Sequence, residues 1–291
     1  MAYFMPLMTT STHATIQQSM ALAKAHYENF PVASFLLPKD LRAPVGLIYA
    51  FARQADDFAD EGDLHPEERL ALLDDFRLQL DQIRDDTVPD TPLFQALHKM
   101  IKERGLPLEP FYDLLSAFSQ DVVKARYVNF GEVIDYCRRS ANPVGRLMLY
   151  LYHAATPRNI ALSDAICTSL QLINFLQDIE IDYRKDRIYL PQDELQKYKI
   201  SEQQIANKNT QGTWSLFMEF QINRTRKLLQ SGAPLGLALP GRIGLEMRMI
   251  IAGGERILKK LHHGRGDVFN QRPVLNAVDW TYMFYRAVRK K

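Results

Sequence analysis

An all-α fold, built as one helical domain, is the architecture this sequence predicts. Three observations carry the prediction. Apolar residues recur at helical spacing, no stretch alternates as a half-buried strand would, and prolines, glycines and capping residues punctuate the apolar segments. At 291 residues the chain is long enough for a sizeable core. No repeat or low-complexity tract divides it, so 1–291 reads as a single domain with 1–14 as a flexible N-terminal segment.

The first helix is expected over 40–60. Its apolar stripe runs through Leu41, Val45, Ile48 and Ala52, with Pro44 in the first turn, where proline is tolerated. Pro66 and Pro110 stand near the starts of further helices, and Gly105 near the end of one. A longer helical stretch covers 131–151, broken or bent near Pro143. Ser163 is the expected cap of the next helix, which runs to about 182. Helices then follow over 214–229, 242–262 and 274–289, and the Ser/Gly/Pro-bearing segment 231–236 reads as a loop between two of them.

Composition narrows the function. The chain is 46% hydrophobic and 24% charged with a formal net charge of +2, which offers no nucleic-acid footprint and no acidic tail. Arg286, Arg289, Lys290 and Lys291 read as a solvated helix end rather than a phospholipid patch. Two cysteines, Cys137 and Cys167, suit a reducing compartment without a disulfide. The first eight residues lack a basic leader and a long apolar core, and the nearest approach to a membrane span, 147–155, is far too short. A cytoplasmic protein is expected, with a ligand that can come from a membrane.

Two aspartate pairs at helical spacing point to chemistry. Asp56 and Asp60, and Asp178 and Asp182, each lie one turn apart on a helix face, where unneutralised carboxylates repel. Mg²⁺ removes that repulsion, because it takes carboxylate and phosphate oxygens together. Arg53, Asp56 and Asp60 fall at i, i+3 and i+7, so a phosphate-gripping cation shares their face. Asn174, Asp178 and Asp182 form a second polar stripe, flanked by Leu172, Ile173, Phe175, Leu176 and Ile179. A polar stripe on a largely apolar helix needs partners. Two such faces in an apolar helical shell would hold a diphosphate at the mouth of a greasy pocket.

These blocks resemble the squalene/phytoene synthase family of head-to-head prenyl synthases. The resemblance rests on Tyr49-Ala50-Phe51-Ala52-Arg53 leading into Asp56 and Asp60, Tyr136-Cys137 with Ala141 to Gly145, Asn174 to Asp182 with Arg187 to Pro191, and Asp267 to Arg272. It implies the isoprenoid-synthase helical bundle with a central apolar cavity. It also implies that Asp56, Asp60, Asn174, Asp178 and Asp182 bind Mg²⁺ (Mn²⁺ as a substitute), that Arg53, Arg187 and Arg272 grip phosphate, and that Tyr136 is the catalytic tyrosine. Taken alone, Tyr136 reads as a core residue. Phe30 is placed in the substrate tunnel by the resemblance and reads equally well as core.

The departures matter more. The family commonly has Ser at the place of Tyr27, Gly at the place of Asn142, and Arg-Asp-x-Gly-Glu-Asp where this chain has Gln177 to Asp182. A phosphate-binding arginine has become Gln177 and an acid has become Ile181, while Glu180 points away from the Asp178/Asp182 face. The resulting pattern is most similar to the hydroxysqualene-forming branch of bacterial hopanoid biosynthesis. That branch implies ionisation of presqualene diphosphate, an isoprenoid diphosphate, and capture by water without NADPH. Tyr136, Asn142 and Tyr27 are candidates to position the water. Condensation of two farnesyl diphosphates, phytoene synthesis and a non-catalytic scaffold remain as alternatives. An apolar product implies peripheral contact with the inner face of a membrane or hand-over to other enzymes of the pathway.

Overall fold

The computed structural model describes residues 37–289. Tyr27 and Phe30, the expected flexible segment 1–14, and Lys290 and Lys291 lie outside the described residues. Among those described, fourteen helices and one isolated parallel bridge, Arg126 to Ile188, account for the regular structure. No helix among them is long and apolar enough to cross a membrane.

The N-terminal layer comprises α1 (Lys39–Asp60), α2 (Pro66–Arg84), α3 (Pro92–Arg104) and α4 (Glu109–Val123). Its core is an aromatic knot: Phe51 meets Phe111 edge-on at 5.2 Å and Phe94 at 5.8 Å, and Phe94 meets Phe76 at 4.8 Å. The buried stripe of α1 is centred on Leu41, Pro44, Ile48, Phe51 and Ala55, so the expected stripe is rotated, with Val45 and Ala52 only half-buried. Pro44 lies in the second turn, not the first. Its missing N–H leaves the Asp40 carbonyl without a helical partner, and Arg104 Nη2 donates to that oxygen at 3.2 Å. Gly105 ends α3 at φ 61°, a left-handed cap suited to glycine.

The predicted 131–151 helix is two helices, α5 (Phe130–Ser140) and α6 (Asn142–Leu151), divided at Ala141. Pro143 occupies the first turn of α6, where no donor is needed. Next, α7 (Pro157–Gln177) is capped by Thr156, whose side chain accepts from Asn159 N. Ser163, the expected cap, is instead buried inside the helix. The helix also stops short of 182. Asp178 leaves the helical conformation at φ −106°, ψ 15°, and α8 (Ile179–Arg184) restarts after it.

Short helices α9 (Gln192–Lys197) and α10 (Glu202–Ala206) precede α11 (Trp214–Gly232), α12 (Leu235–Ala238), α13 (Gly241–His263) and α14 (Ala277–Val288). The segment 231–236 is therefore mostly helical rather than a loop. Gly232 serves packing there: a Cβ would stand 2.7 Å from the Leu162 carbonyl of α7. The central helix α7 packs against α6, α11 and α13. Trp214, Phe217 and Leu258 fill the C-terminal core, and a third cluster holds Tyr127, Tyr136, Phe175 and Tyr189. Cys137 and Cys167 are free thiols.

Candidate active site

Asp56, Asp57 and Asp60 all fall in the last two turns of α1, which has no basic residue in its last turn. Carboxylates at a helix C-terminus oppose the macrodipole, so this placement costs stability and calls for an external cation. Arg53, one turn back on the same helix, supplies part of that charge. It meets Asp57 at 2.6 Å and Asp56 at 3.5 Å.

The second pair keeps its one-turn spacing although the helix is interrupted. Asp178 N donates to Asn174 O at 2.9 Å, and Asp182 N donates to Asp178 O at 2.8 Å. Asn174, Asp178 and Asp182 thus remain in helical succession across the break. Beyond α8 the chain reverses: Arg187 N donates to Asp182 O at 2.8 Å, with Asp186 at φ 57°. Arg126 holds this turn through the Asp186 carboxylate at 2.9 Å.

That reversal swings two cations onto α1. Arg187 meets Asp60 at 2.5 Å and Lys185 meets it at 3.1 Å. The two aspartate pairs therefore face one another, joined through Arg187. Arg272, from the segment before α14, grips Asp178 with Nε at 2.5 Å and Nη2 at 3.3 Å. Gln177 Nε2 donates to the Pro273 carbonyl at 2.6 Å and is buried. Glu180 turns away to Arg184 and Lys208, and Ile181 is 45% exposed.

Burial and mutual repulsion disfavour charge on two of the carboxylates. Burial, reinforced by the charge on Asp178, pushes Asp182 up to about 8; Arg187 and Lys185 pull it back and Asp60 raises it further. Burial and then Asp60 push Asp56 up to about 6. Among the described residues no ion pair closes on Asp182, and no three ligating side chains stand close enough to hold a metal together. The donor set fits Mg²⁺: these are hard, partly buried carboxylate oxygens arranged as two one-turn pairs. Protein cations occupy Asp60 and Asp178 in this arrangement, so metal binding would exchange their partners.

Tyr136 is buried, as its reading from sequence alone would have it, yet it also belongs to the site. Its hydroxyl donates to Asp121 Oδ2 at 2.6 Å. Tyr189 donates to Asp121 Oδ1 at 3.2 Å, and Arg187 Nη2 donates to the Asp121 carbonyl at 3.0 Å. The Tyr189 ring stacks on Phe175 at 3.9 Å. Burial pushes Asp121 up to about 7 against the hydrogen bond from Tyr136 and the charge of Arg187. Asn142, a candidate for placing water, is buried and accepts from Thr168 at 2.8 Å.

Asp121, Lys185 and Tyr189 escaped the sequence reading. Asp121 carries no spaced partner on α4 that would have flagged it. Lys185 and Tyr189 flank Arg187 in sequence, and the basic run Arg184-Lys185-Asp186-Arg187 was a usable signal for the first.

The sequence profile of squalene/phytoene synthases matches residues 23–279. A hydroxysqualene synthase of Rhodopseudomonas palustris is 35% identical over 263 residues, spanning 90% of this chain and 88% of that protein. A hydroxysqualene synthase of Zymomonas mobilis is 32% identical, spanning 86% and 87%. Among solved structures, squalene synthase HpnC from Alicyclobacillus acidocaldarius superposes with a TM-score of 0.81 at 32% identity, covering 87% of this chain and 95% of its own.

Proposed function

The chain belongs to the squalene/phytoene synthase family, and we propose that it ionises presqualene diphosphate and gives hydroxysqualene by capture of water. The supporting observation is the state of Gln177. Its amide is spent on the Pro273 carbonyl, so the position preceding Asp178 supplies a backbone clamp and no cation for a second diphosphate. Asp178 and Asp182 are left with Arg272 and Arg187 as their nearest guanidinium groups. That inventory suits one diphosphate per turnover. The relatives named hydroxysqualene synthase support the same choice.

When bound, Mg²⁺ held by Asp56, Asp60, Asp178 and Asp182, with Asn174 one turn ahead, supplies charge neutralisation for the departing diphosphate. The chain's own residues do the rest. Arg53, Lys185, Arg187 and Arg272 offer donors to diphosphate oxygens as the carbon–oxygen bond breaks and its electron pair leaves with the phosphate. The aromatic faces of Tyr136, Phe175 and Tyr189 offer quadrupole stabilisation to the carbocation. The cyclopropane bond opens, water oxygen joins the allylic carbon, and one proton is released. No electron is gained or lost, so the step needs no reductant.

Tyr136 and Asp121 form a path for that proton: Tyr136 takes it as its own passes to the Asp121 carboxylate. Asp121→Asn should lower turnover by about 10²-fold or more with the fold intact, a size usual for general-base loss. The parent should gain activity as pH rises through about 7, where the Asp121 carboxyl ionises, and the variant should lack that rise. An unchanged pH–rate profile in the variant would remove Asp121 from the path.

The reaction itself is tested by two incubations with Mg²⁺ and no NADPH, one on presqualene diphosphate and one on farnesyl diphosphate, with products resolved by mass. Hydroxysqualene in the first and nothing in the second is the expected result. Presqualene diphosphate formed in the second would move the chain to the condensing branch.

A further inference from the structure

We propose that the outer face of α14 is a docking surface for an anionic lipid bilayer. The inner face of this helix buries Asp279, Met283 and Ala287 against α13. The outer face would be polar if the helix simply ended in water. Instead Val278, Tyr282, Tyr285 and Val288 recur there at i, i+4, i+7 and i+10, with Phe284 at its flank, and these five side chains are 41 to 73% exposed. Contiguous exposed apolar residues of this kind mark a contact surface.

Charge selects the partner. Asp279, the only acid of α14, is turned inward between Arg256 and Lys260. The outward charges are all positive: Arg286 lies 5.9 Å from the Tyr282 ring and Arg289 lies 4.4 Å from that of Tyr285, and the sequence continues with Lys290 and Lys291. Aromatic and aliphatic side chains laced with arginine, without an acid among them, form the chemistry of an interfacial helix on anionic lipid. A second copy of this chain would bring the same positive face to a two-fold contact, setting like charges together. The four cations alone suggested a solvated terminus; the exposed aromatic and aliphatic side chains beside Arg286 and Arg289 are what favour a bilayer.

This inference stands apart from the identity of the reaction. The full chain should sediment with vesicles of phosphatidylcholine mixed with phosphatidylglycerol, and much less with phosphatidylcholine alone. The double variant Tyr282→Ser/Tyr285→Ser should bind the mixed vesicles at least ~10-fold more weakly. Arg286→Gln/Arg289→Gln should lose most of the salt sensitivity of binding. The variants alter three exposed side chains and the half-buried Arg286, and should keep the parent's melting temperature and its turnover of detergent-dispersed substrate. Absence of the parent from the mixed vesicles, or equal binding by the serine variant, would overturn the proposal. So would light scattering that shows a parent dimer dissociated by the serine changes, which would assign the face to a second copy.

Discussion

Asp182→Asn should reduce turnover by about 10²–10³-fold, since a carboxylate proposed to hold Mg²⁺ against the departing diphosphate is lost, while the metal-free variant melts no lower than the parent. The second half separates a functional carboxylate from a structural one. Asp182 is pushed up to about 8 by burial and by Asp178, so the folded protein holds its proton more tightly than the unfolded chain does. Its contribution to stability is fully present below about pH 4 and is lost as pH rises towards 8. Asparagine cannot ionise, so the variant should match the parent at low pH and become progressively more stable than it as pH rises towards 8. The parent should gain melting temperature from Mg²⁺ with diphosphate, and the variant should lose that gain. A variant that keeps both its magnesium-dependent melting shift and its turnover would take Asp182 out of the ligand set.

The scaffold was legible where the physics is local. Proline at a helix start, Gly105 at a left-handed cap and four-residue carboxylate spacing all act within one or two turns. The misreadings arose where a distant partner decides the outcome. Pro44 is tolerated a turn later than expected because Arg104 takes the orphaned Asp40 carbonyl. Gly232 looked like a loop signal because its contact, the α7 backbone, is some seventy residues away in sequence. Ser163 was read as a cap from its residue type, whereas the capping geometry belongs to Thr156.

The site divides in the same way. Both aspartate pairs were visible because each repeats at a one-turn spacing that the sequence displays directly. Their mutual placement was not, since it depends on the reversal at Asp186 that carries Lys185 and Arg187 back to Asp60. Asp121 was invisible for a related reason. Its partners Tyr136 and Tyr189 come from α5 and from the segment after α8, so a lone Asp in the last turn of α4 carries no local mark. Gln177 was recognised as a missing cation, but its structural task was not, because Pro273 lies 96 residues on.

Asp279→Ala should cost about 3–5 kcal/mol, the range for removing one partner of a buried ion pair. The Asp279 side chain is 1% exposed and meets Lys260 at 2.5 Å as well as Arg256. It also accepts from Asn276 N at 2.9 Å, while Asn276 Oδ1 accepts from Asp279 N at 3.0 Å, a reciprocal cap on α14. Burial alone would raise its carboxyl, but Lys260, the Asn276 N–H and Arg256 outweigh it and hold the group at about 2. The folded value lies below the unfolded one, so this stabilisation is present above about pH 4 and is lost as pH falls towards 2, a window worth about 2 kcal/mol. Urea melts should therefore show the parent and Asp279→Ala far apart at pH 7 and closer together at pH 3. The change should also reach the active site. Lys260 donates to the Val274 carbonyl at 2.7 Å, in the same segment that presents Arg272 to Asp178. Loosening it should raise KM for the diphosphate substrate more than it lowers kcat. A gap between the two proteins that stays constant from pH 7 to pH 3 would mean that Asp279 acts through packing rather than charge.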